Sequence, residues 1–382
     1  MVISPTTLPP IVLFGYDSSP FTQKIRLTLR LLQLPYTFVL VPSMLPRPVL
    51  VDTFGLTYRK IPVLAIGRDV IVDTSLIVEW LVAHPLLKAY RDARGLSEGQ
   101  EVYASARERV LGRVLSSFFT DRPLFRVTTG LIPGAVWRTR FGVDRAGLIG
   151  HAIDADKLEQ KVPVNLAGLD GYLSLLEPLF TDESEDSGWV LGGRRPSLAD
   201  VALWYQLEWG RGISRGEGIE DLTGGGTGNG FGEGIGEVFN EQRYPRLTGW
   251  FRRFRRHIEG LPCLETRVEM GDAKGVEAIV RKIGQSLRTE DVPMLPTPNG
   301  RVEALEERIG WRIGSEVSVA PDDTGKDHPT VGTLVGISPE EVVILPNAHA
   351  ADDRGGTASV DGIRLHFPRV GFAFRRVKQF KL

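Results

Sequence analysis

The chain has little cysteine and no excess of charge of either sign. Its single cysteine, Cys263, excludes an internal disulfide and a metal cluster built on cysteines, and it fits a reducing compartment. The 46 lysines and arginines against 47 aspartates and glutamates argue against bulk attraction to nucleic acid or anionic lipid. No apolar run approaches the roughly 18–20 residues that span a bilayer, and the histidines lack H-E-x-x-H spacing. We therefore expect a soluble, intracellular protein without a metal, a membrane segment or a nucleic-acid partner.

The first 90 residues combine short apolar runs with two helix-start signals. Short strands are predicted at residues 11–14, 36–41, 61–66 and 70–72. Ser18-Ser19-Pro20 is typical of a helix start, with a hydroxyl as the cap and proline in the first turn. Asp73-Thr74-Ser75 predicts a second capped helix, and the stretch 42–56 is predicted to be mostly loop. The order β-α-β-loop-β-β-α predicts a thioredoxin-like α/β domain over residues 1–90.

Helical patterns dominate from residue 97 to residue 290. Apolar residues at fourfold spacing from 102 to 118 predict a long helix, and Ser197 with Asp200 forms an S-x-x-D capping box before another. Twelve of the 27 residues from 210 to 236 are glycine. Because ordering so much glycine is entropically costly, we expect a flexible loop there. The prediction is an all-helical domain over 97–290 with a Gly-rich loop at 210–236.

The pattern changes after a proline-containing linker at 290–299. Five short segments rich in β-formers follow, at residues 316–320, 330–337, 341–345, 362–367 and 371–376. Their spacing, with Gly, Pro and Asp between them, predicts a small all-β domain of the SH3-like barrel type over 300–382. We expect it to pack against the rest of the chain and to have a structural or recognition role.

Four motifs occur in a fixed order in the first domain. They are Tyr16-Asp17-Ser18-Ser19-Pro20-Phe21, Leu34-Pro35-Tyr36, Lys60-Ile61-Pro62-Val63-Leu64 and Asp73-Thr74-Ser75-Leu76-Ile77. With the later capping box and Tyr244-Pro245-Arg246-Leu247, this set resembles the cytosolic glutathione transferases over roughly residues 11–260. The first motif is similar to the S-P-F or C-P-F element of the tau, lambda and omega classes. The whole chain resembles fungal transferase-like proteins with an extra C-terminal β domain.

The resemblance implies that glutathione binds at the start of the first helix. A thiol with a pKa near ~8.5 must ionise to become a good nucleophile, and a helix N-terminus stabilises the thiolate. Ser19 is the catalytic candidate that could donate its hydroxyl to the sulfur, and Ser18 could do the same. The sequence does not choose between them, and Ser19 could also be only the helix cap. Since neither residue is a cysteine, disulfide exchange by this position is excluded.

The same resemblance implies a set of glutathione-binding residues, namely Lys60, Ile61, Pro62, Asp73 and Thr74. Pro62 would follow a cis peptide bond that presents the backbone of Ile61 to the cysteinyl part of the ligand. Asp73 and Thr74 stand where the family usually has Glu and Ser, and they would bind the γ-glutamyl group unless they only cap the helix. Lys60 would contact the glycyl carboxylate, or it could be a solvated lysine.

The substrate would lie against aromatic side chains. Tyr16, Phe21, Phe118 and Phe119 are the candidate walls of an apolar pocket for a small hydrophobic electrophile, although aromatic residues at helical spacing are more often core. The resemblance implies a cytoplasmic transferase or isomerase that uses glutathione as cosubstrate and no metal, and homodimers are common in the family. The alternatives are a non-catalytic binding or assembly protein and an enzyme of this fold that no longer uses glutathione.

Overall fold

The computed structural model describes residues 8–96, 101–180, 188–224, 234–287, 289–347 and 360–377. The first unit comprises β1 Ile11–Gly15, α1 Pro20–Leu31, β2 Tyr36–Leu40, α2 Pro48–Phe54, β3 Val63–Ile66, β4 Asp69–Val72, α3 Thr74–Ala83 and α4 Pro85–Asp92. β1 pairs with β2 in parallel and with β3 antiparallel, and β3 pairs with β4 antiparallel. The thioredoxin-like prediction is confirmed. The helix α2 lies in a stretch predicted as loop, and it begins at Pro48, a residue that suits the first helical turn.

Helices make up the next region, as predicted. They are α5 Ala106–Val114, a π-helix Leu115–Leu124, α6 Phe125–Thr129, α7 Gly134–Trp137, α8 Arg140–Ile149, α9 Ala155–Gln160, α10 Val162–Leu176, α11 Leu198–Ser214, α12 Ile219–Thr223 and α13 Pro245–Glu259. A core of buried side chains from α10, α11 and α13 holds this region together, with Leu169, Leu203 and Trp250 among them. The capping box of Ser197 and Asp200 starts α11 as expected.

Two helical features differ from the predicted pattern. Residues predicted as one regular helix pass into the π-helix, which contains Pro123, a residue without a backbone N–H to continue α-helical bonding. The first member of the apolar stripe, Val102, is buried but lies before α5, whereas Val110, Val114 and Phe118 are all exposed. The fourfold spacing identified the helix but not the side that it buries.

The flexible-loop prediction for residues 210–236 is wrong for much of its described part. α11 continues through residue 214, and α12 follows after four intervening residues. Ile213, Ile219 and Leu222 are buried in the same core cluster as the first sheet. Their irregular spacing leaves no periodic signal in a glycine-rich sequence. Their burial is nevertheless enough to anchor the segment. Residues 225–233 of the predicted loop lie outside the described residues.

The remaining elements of the described residues are two helices and six strands, and the strands extend the first sheet at both edges. They are β5 Glu265–Val268, α14 Ala273–Gly284, α15 Glu303–Arg308, β6 Glu316–Pro321, β7 Thr330–Ile337, β8 Glu341–Pro346, β9 Arg364–Pro368 and β10 Phe372–Arg376. β5 pairs in parallel with β2, so a strand lies inside the stretch predicted as all-helical. β9 pairs in parallel with β4, which makes the order β10-β6-β7-β8-β9-β4-β3-β1-β2-β5.

The five predicted strands of the C-terminal β domain are all present. They follow the order β10-β6-β7-β8-β9, with antiparallel pairing throughout. The rings of Phe367 on β9 and Phe372 on β10 lie 6.0 Å apart across the short connection between these two strands. Val319 and Phe367 share a core cluster with Val12 of β1. The domain therefore packs against the first sheet through strand pairing and a common core.

Three further properties concern the described residues only. None of their helices combines the length and the apolar character needed to cross a membrane. Their His, Cys, Asp and Glu side chains form no group of three or more that could hold a metal ion. Cys263 is a free, exposed thiol.

Candidate functional site

The first candidate, Ser19, is the N-cap of α1. Its Oγ accepts the backbone N–H of Thr22 at 3.2 Å, and the residue is only 2% exposed. Pro20 occupies the first helical position, as the sequence signal indicates. The Ser19 hydroxyl therefore bonds within its own helix, and capping is the role that its geometry supports.

Ser18 has a different environment. Its backbone N–H and its hydroxyl both donate to the same oxygen of Asp221, Oδ2, at 2.7 and 2.6 Å. The indole Nε1 of Trp209 donates to the Ser18 carbonyl oxygen at 2.9 Å, which fixes the residue from the other side. Two donors immediately before α1 thus converge on one anionic oxygen. Such charge-assisted bonds are among the stronger hydrogen bonds in proteins.

The helix that carries Asp221, α12, covers the start of α1. Gly218 precedes it with φ +75°, and a Cβ added there would lie 2.8 Å from the Ser18 Cβ. A side chain at this position would therefore force the two segments apart. On the far side of Asp221, the Leu222 carbonyl accepts the hydroxyl of Ser43 at 2.9 Å. A close backbone approach and hydrogen bonds to two serines hold α12 over the predicted site.

The segment before α3 has two unusual backbone features, of which one was expected. The Ile61–Pro62 peptide bond is cis, as expected. Asp73 has φ +69°, an uncommon conformation for a residue other than glycine, and its Oδ1 accepts the N–H and hydroxyl of Ser75 at 2.9 and 2.6 Å. A backbone outlier at a helix start motivates a functional hypothesis for Asp73.

A buried polar network joins the first domain to the helical domain beside these residues. The ammonium of Lys24, fully buried on α1, donates to Asp121 Oδ2 at 2.7 Å and to Thr74 Oγ1 at 3.1 Å. The Tyr205 hydroxyl of α11 donates to Asp121 Oδ1 at 2.7 Å, and burial raises the pKa of that tyrosine well above its usual value. Thr74 is therefore already held by Lys24.

Lys60 and Tyr16 are also engaged with neighbouring elements. The Lys60 ammonium pairs with Asp323, in the connection between β6 and β7, at 2.5 Å. The Tyr16 hydroxyl accepts from Arg145 Nη2 of α8 at 3.3 Å. Nearby, burial lowers the pKa of Arg47 to about 10. Arg47 and Arg145 both donate to the Ser43 carbonyl, so two guanidinium groups lie near Tyr16.

The aromatic candidates do not form a common wall. The ring of Phe21 packs 4.8 Å from Phe125 and 6.3 Å from Tyr205. Phe119 packs edge-on against Tyr172 at 5.6 Å, in the helical core. Phe118 is 51% exposed, so it does not share a buried surface with Phe21. Phe21 packs against Tyr205, a member of the polar network.

A cavity in the described part of the chain lies elsewhere, between α1 and residues 262–265. Arg26, Tyr36 and Glu265 line it. Arg26 donates two hydrogen bonds to Glu265, at 2.9 and 3.0 Å, and the Tyr36 hydroxyl donates to the same carboxylate. These groups satisfy one another, and the cavity does not include Ser18.

Sequence motifs do not point to the residues that bind the candidate serines and Thr74. Asp221 lies in the glycine-rich stretch, where nothing distinguishes it from a loop carboxylate. Lys24 stands between apolar residues of α1, a position typical of the polar side of an amphipathic helix, yet it is fully buried. A buried lysine requires a partner, but its partner Asp121 is 97 residues away in the sequence.

Comparisons with known proteins give two matches to family models and several to solved structures. Residues 13–85 match the glutathione S-transferase N-terminal domain, and residues 160–253 match the glutathione S-transferase C-terminal domain. A GST-like protein from Pseudomonas syringae is 19% identical with a TM-score of 0.56, over 97% of this chain and 100% of that chain. This likeness concerns the fold alone.

Two further solved structures are less similar. A tau class glutathione S-transferase from mango, Mangifera indica, is 16% identical with a TM-score of 0.41, over 71% of this chain and 96% of that chain. A glutathione S-transferase from Rhodospirillum rubrum is 16% identical with a TM-score of 0.42, over 68% and 94%. None of the curated proteins compared with the chain matches it.

Proposed function

The chain belongs to the glutathione S-transferase superfamily, and from that premise we propose that it is a glutathione-dependent transferase or isomerase. The thiolate of glutathione is held at the N-terminus of α1 and attacks a small hydrophobic electrophile. Glutathione is the cosubstrate and no metal takes part. A cytoplasmic location suits this chemistry, because that compartment keeps thiols reduced.

The observation that carries the proposal is the pair of Ser18 donors. The N–H and O–H of Ser18 converge on one carboxylate oxygen at 2.7 and 2.6 Å. A group of this geometry suits a thiolate, which is also an anionic acceptor, and the partial positive charge of the α1 N-terminus adds to the attraction. Ser18 is therefore the thiolate donor of the proposal, while Ser19 is the cap that fixes the helix start.

The other candidate residues bind the remaining parts of glutathione. The backbone of Ile61, before the cis bond to Pro62, is available to the cysteinyl peptide group. The carboxylate of Asp73 pairs with the γ-glutamyl amine, and Thr74 reaches the γ-glutamyl carboxylate through its own N–H at the start of α3. Lys60 binds the glycyl carboxylate. Each of these contacts uses a residue that the sequence motifs predict.

The reaction needs little from the protein beyond binding and charge. The thiol proton leaves to solvent, and the sulfur forms a bond to the electrophilic carbon. In a transfer, the leaving group departs with the bonding electron pair; in an isomerisation, the sulfur leaves again and glutathione is regenerated. The protein contributes orientation and stabilises the thiolate.

A second candidate function is a protein of this fold that does not use glutathione. The position of α12 favours it, because Asp221 already fills the donor pair of Ser18. Such a protein would bind or assemble through other surfaces. Calorimetric titration with glutathione separates the two candidates: binding in the millimolar range or tighter supports the transferase, and no binding by any variant supports the second candidate.

We also propose a homodimer. The apolar side chains Val110, Val114 and Phe118 recur at fourfold spacing on α5 and the π-helix, which places them on one side, and all are exposed. A second subunit would cover this surface. Sedimentation of the protein measures its oligomeric state directly.

Replacing Ser18 by alanine is expected to lower kcat/KM with glutathione and an aryl halide by roughly 10- to 150-fold. One lost hydrogen bond to a charged group is worth about 1.5–3 kcal/mol, which sets this range. The pH at which bound glutathione ionises should rise, because the thiolate loses a donor. Steady-state rates and the ultraviolet absorbance of the thiolate, measured against pH, test both statements.

Ser19→Ala is the matched control. It removes the bond to the Thr22 N–H and should cost about 1 kcal/mol of stability, as for other N-caps, with a smaller loss of activity. If Ser19→Ala lost the activity and Ser18→Ala kept it, the donor would be Ser19. Unchanged rates and pH profiles in both variants would remove the helix start from the mechanism.

A further inference from the structure

Two carboxylates of the chain itself bind the groups proposed to hold the anionic parts of glutathione. Asp221 accepts both donors of Ser18, the proposed thiolate site, and Asp323 pairs with Lys60, the proposed partner of the glycyl carboxylate. We infer that the described form is autoinhibited: α12 closes the site, and Asp221 must leave Ser18 before glutathione binds. The inference rests on the proposed function and adds its regulation.

Asp221 and a thiolate compete for the same hydrogens. Ser18 has one hydroxyl hydrogen and one backbone N–H, and both are directed at Asp221 Oδ2. The space between Ser18 and the start of α12 is also too narrow for an added ligand, because Gly218 approaches Ser18 so closely that even a Cβ would clash. Binding of the thiolate and the closed position of α12 therefore exclude each other.

The construction of α12 allows it to move as a unit. The helix is only five residues long, and glycines with positive φ stand on both sides of it: Gly216 at +84° and Gly218 at +75° before it, Gly224 at +70° after it. Such positions change conformation at low steric cost. Burial of Ile219 and Leu222 holds the helix closed, together with the bonds to Ser18 and Ser43.

Asp221 and Asp323 should contribute unequally to the inhibition of glutathione binding. Asp221 is partly buried and accepts two short bonds, whereas the Asp323 side chain is 51% exposed and forms a single ion pair with Lys60. Exposed pairs are weakened by water and salt. The apparent affinity of a ligand falls by the fraction of molecules in the competent form. Loss of Asp221 should therefore raise the affinity for glutathione much more than loss of Asp323.

Calorimetric titration of the full-length protein with glutathione tests the inference. Asp221→Ala is expected to bind glutathione about 10- to 100-fold more tightly than the wild type, since it releases two charge-assisted bonds. Asp323→Ala should gain less than about 5-fold. Glu220→Ala, an exposed neighbour on the same helix, should match the wild type. Hydrogen exchange without ligand should be faster across residues 216–224 in Asp221→Ala than in Glu220→Ala.

The outcomes separate the inference from the proposed function. Equal, measurable affinity in the wild type and Asp221→Ala overturns the autoinhibition and leaves the transferase proposal standing. An equal gain in Glu220→Ala also overturns it, because the effect would then not depend on Ser18. No glutathione binding by any variant overturns both. Asp221→Asn, which keeps the size of the side chain and removes its charge, should fall between the wild type and Asp221→Ala.

Discussion

Replacing His366 by alanine is expected to destabilise the protein by about 3–5 kcal/mol, the cost of breaking a buried ion pair. His366 is fully buried on β9, and its ring nitrogens lie 3.0 Å from Asp69 Oδ1 on β4 and 2.9 Å from Glu341 Oε2 on β8. Arg364 pairs with the same Asp69 at 2.6 and 2.9 Å. The two carboxylates balance the guanidinium and the imidazolium, so removal of the ring leaves a buried negative charge without compensation.

The same cluster gives stability a defined pH dependence. Burial alone would lower the pKa of His366, but Asp69 and Glu341 raise it above its usual value. The folded state then binds the proton more tightly than the unfolded state. The contribution of His366 is therefore fully present below about pH 6.5, the unfolded pKa, and is lost as the pH rises through the raised folded pKa.

Asp69 behaves in the opposite sense. Burial alone would raise the pKa of Asp69, but His366 and Arg364 hold it below its usual value. Its contribution is present above about pH 3.9, the unfolded value, and is lost as the pH falls through the lowered folded pKa. Together the two groups favour the folded state most strongly in the mildly acidic range.

Urea unfolding at pH 6 and pH 9 measures both effects. The wild type should lose stability between these values, and His366→Ala should show a lower midpoint at pH 6 and a smaller change with pH. His151→Ala is the control, because His151 is exposed and its Nδ1 lies 2.9 Å from the carbonyl oxygen of the adjacent Ala152. Similar midpoints for the two variants, or an equal change with pH, would contradict a role for the buried cluster.

The strands of the β domain were predictable, but their attachment to the first sheet was not. Each strand has short-range signals, such as the continuous apolar run in β8 between turn residues. The pairing of β9 with β4 joins segments almost 300 residues apart, as the bond between Arg364 and Asp69 illustrates. No local pattern encodes such a contact. Only the buried side chains His366 and Arg364, polar residues in an apolar strand, indicate that the strand needs charged partners.

The candidate site was likewise predictable from the sequence only in part. The helix start and the cap at Asp73 follow from local motifs, because cap chemistry is local. The cis bond at Pro62 was implied by the family resemblance. The carboxylate that occupies the site does not follow from any local motif, since Asp221 lies 203 residues from Ser18 in the sequence. The glycines that suggest a loop also permit the close approach of α12, so composition alone favoured the wrong description of residues 210–224.

Asp200 anchors the helical domain through four hydrogen bonds to one carboxylate. Its Oδ1 accepts the N–H of Val190 at 2.9 Å and the indole N–H of Trp250 at 2.8 Å. Its Oδ2 accepts the N–H and hydroxyl of Ser197 at 2.8 and 2.9 Å. Burial raises the pKa of Asp200, and these hydrogen bonds oppose that rise. One side chain therefore ties α11 to α13 and to the segment before the helix.

Asp200→Ala is expected to cost about 3–5 kcal/mol, because it leaves several buried donors without an acceptor, and each unpaired group costs about 1–3 kcal/mol. Asp200→Asn should fall between Asp200→Ala and the wild type, since an amide retains one acceptor but turns donors toward the donors of Ser197 or Trp250. Asp154→Ala is the control: Asp154 is exposed, caps α9 through the Lys157 N–H and forms an exposed ion pair with the Lys157 ammonium, so its loss should be far smaller. Thermal and urea unfolding compare the three variants, and near-ultraviolet circular dichroism follows the packing around Trp250. Comparable losses for Asp154→Ala and Asp200→Ala would mean that the buried carboxylate acts as an ordinary helix cap and does not anchor the domain.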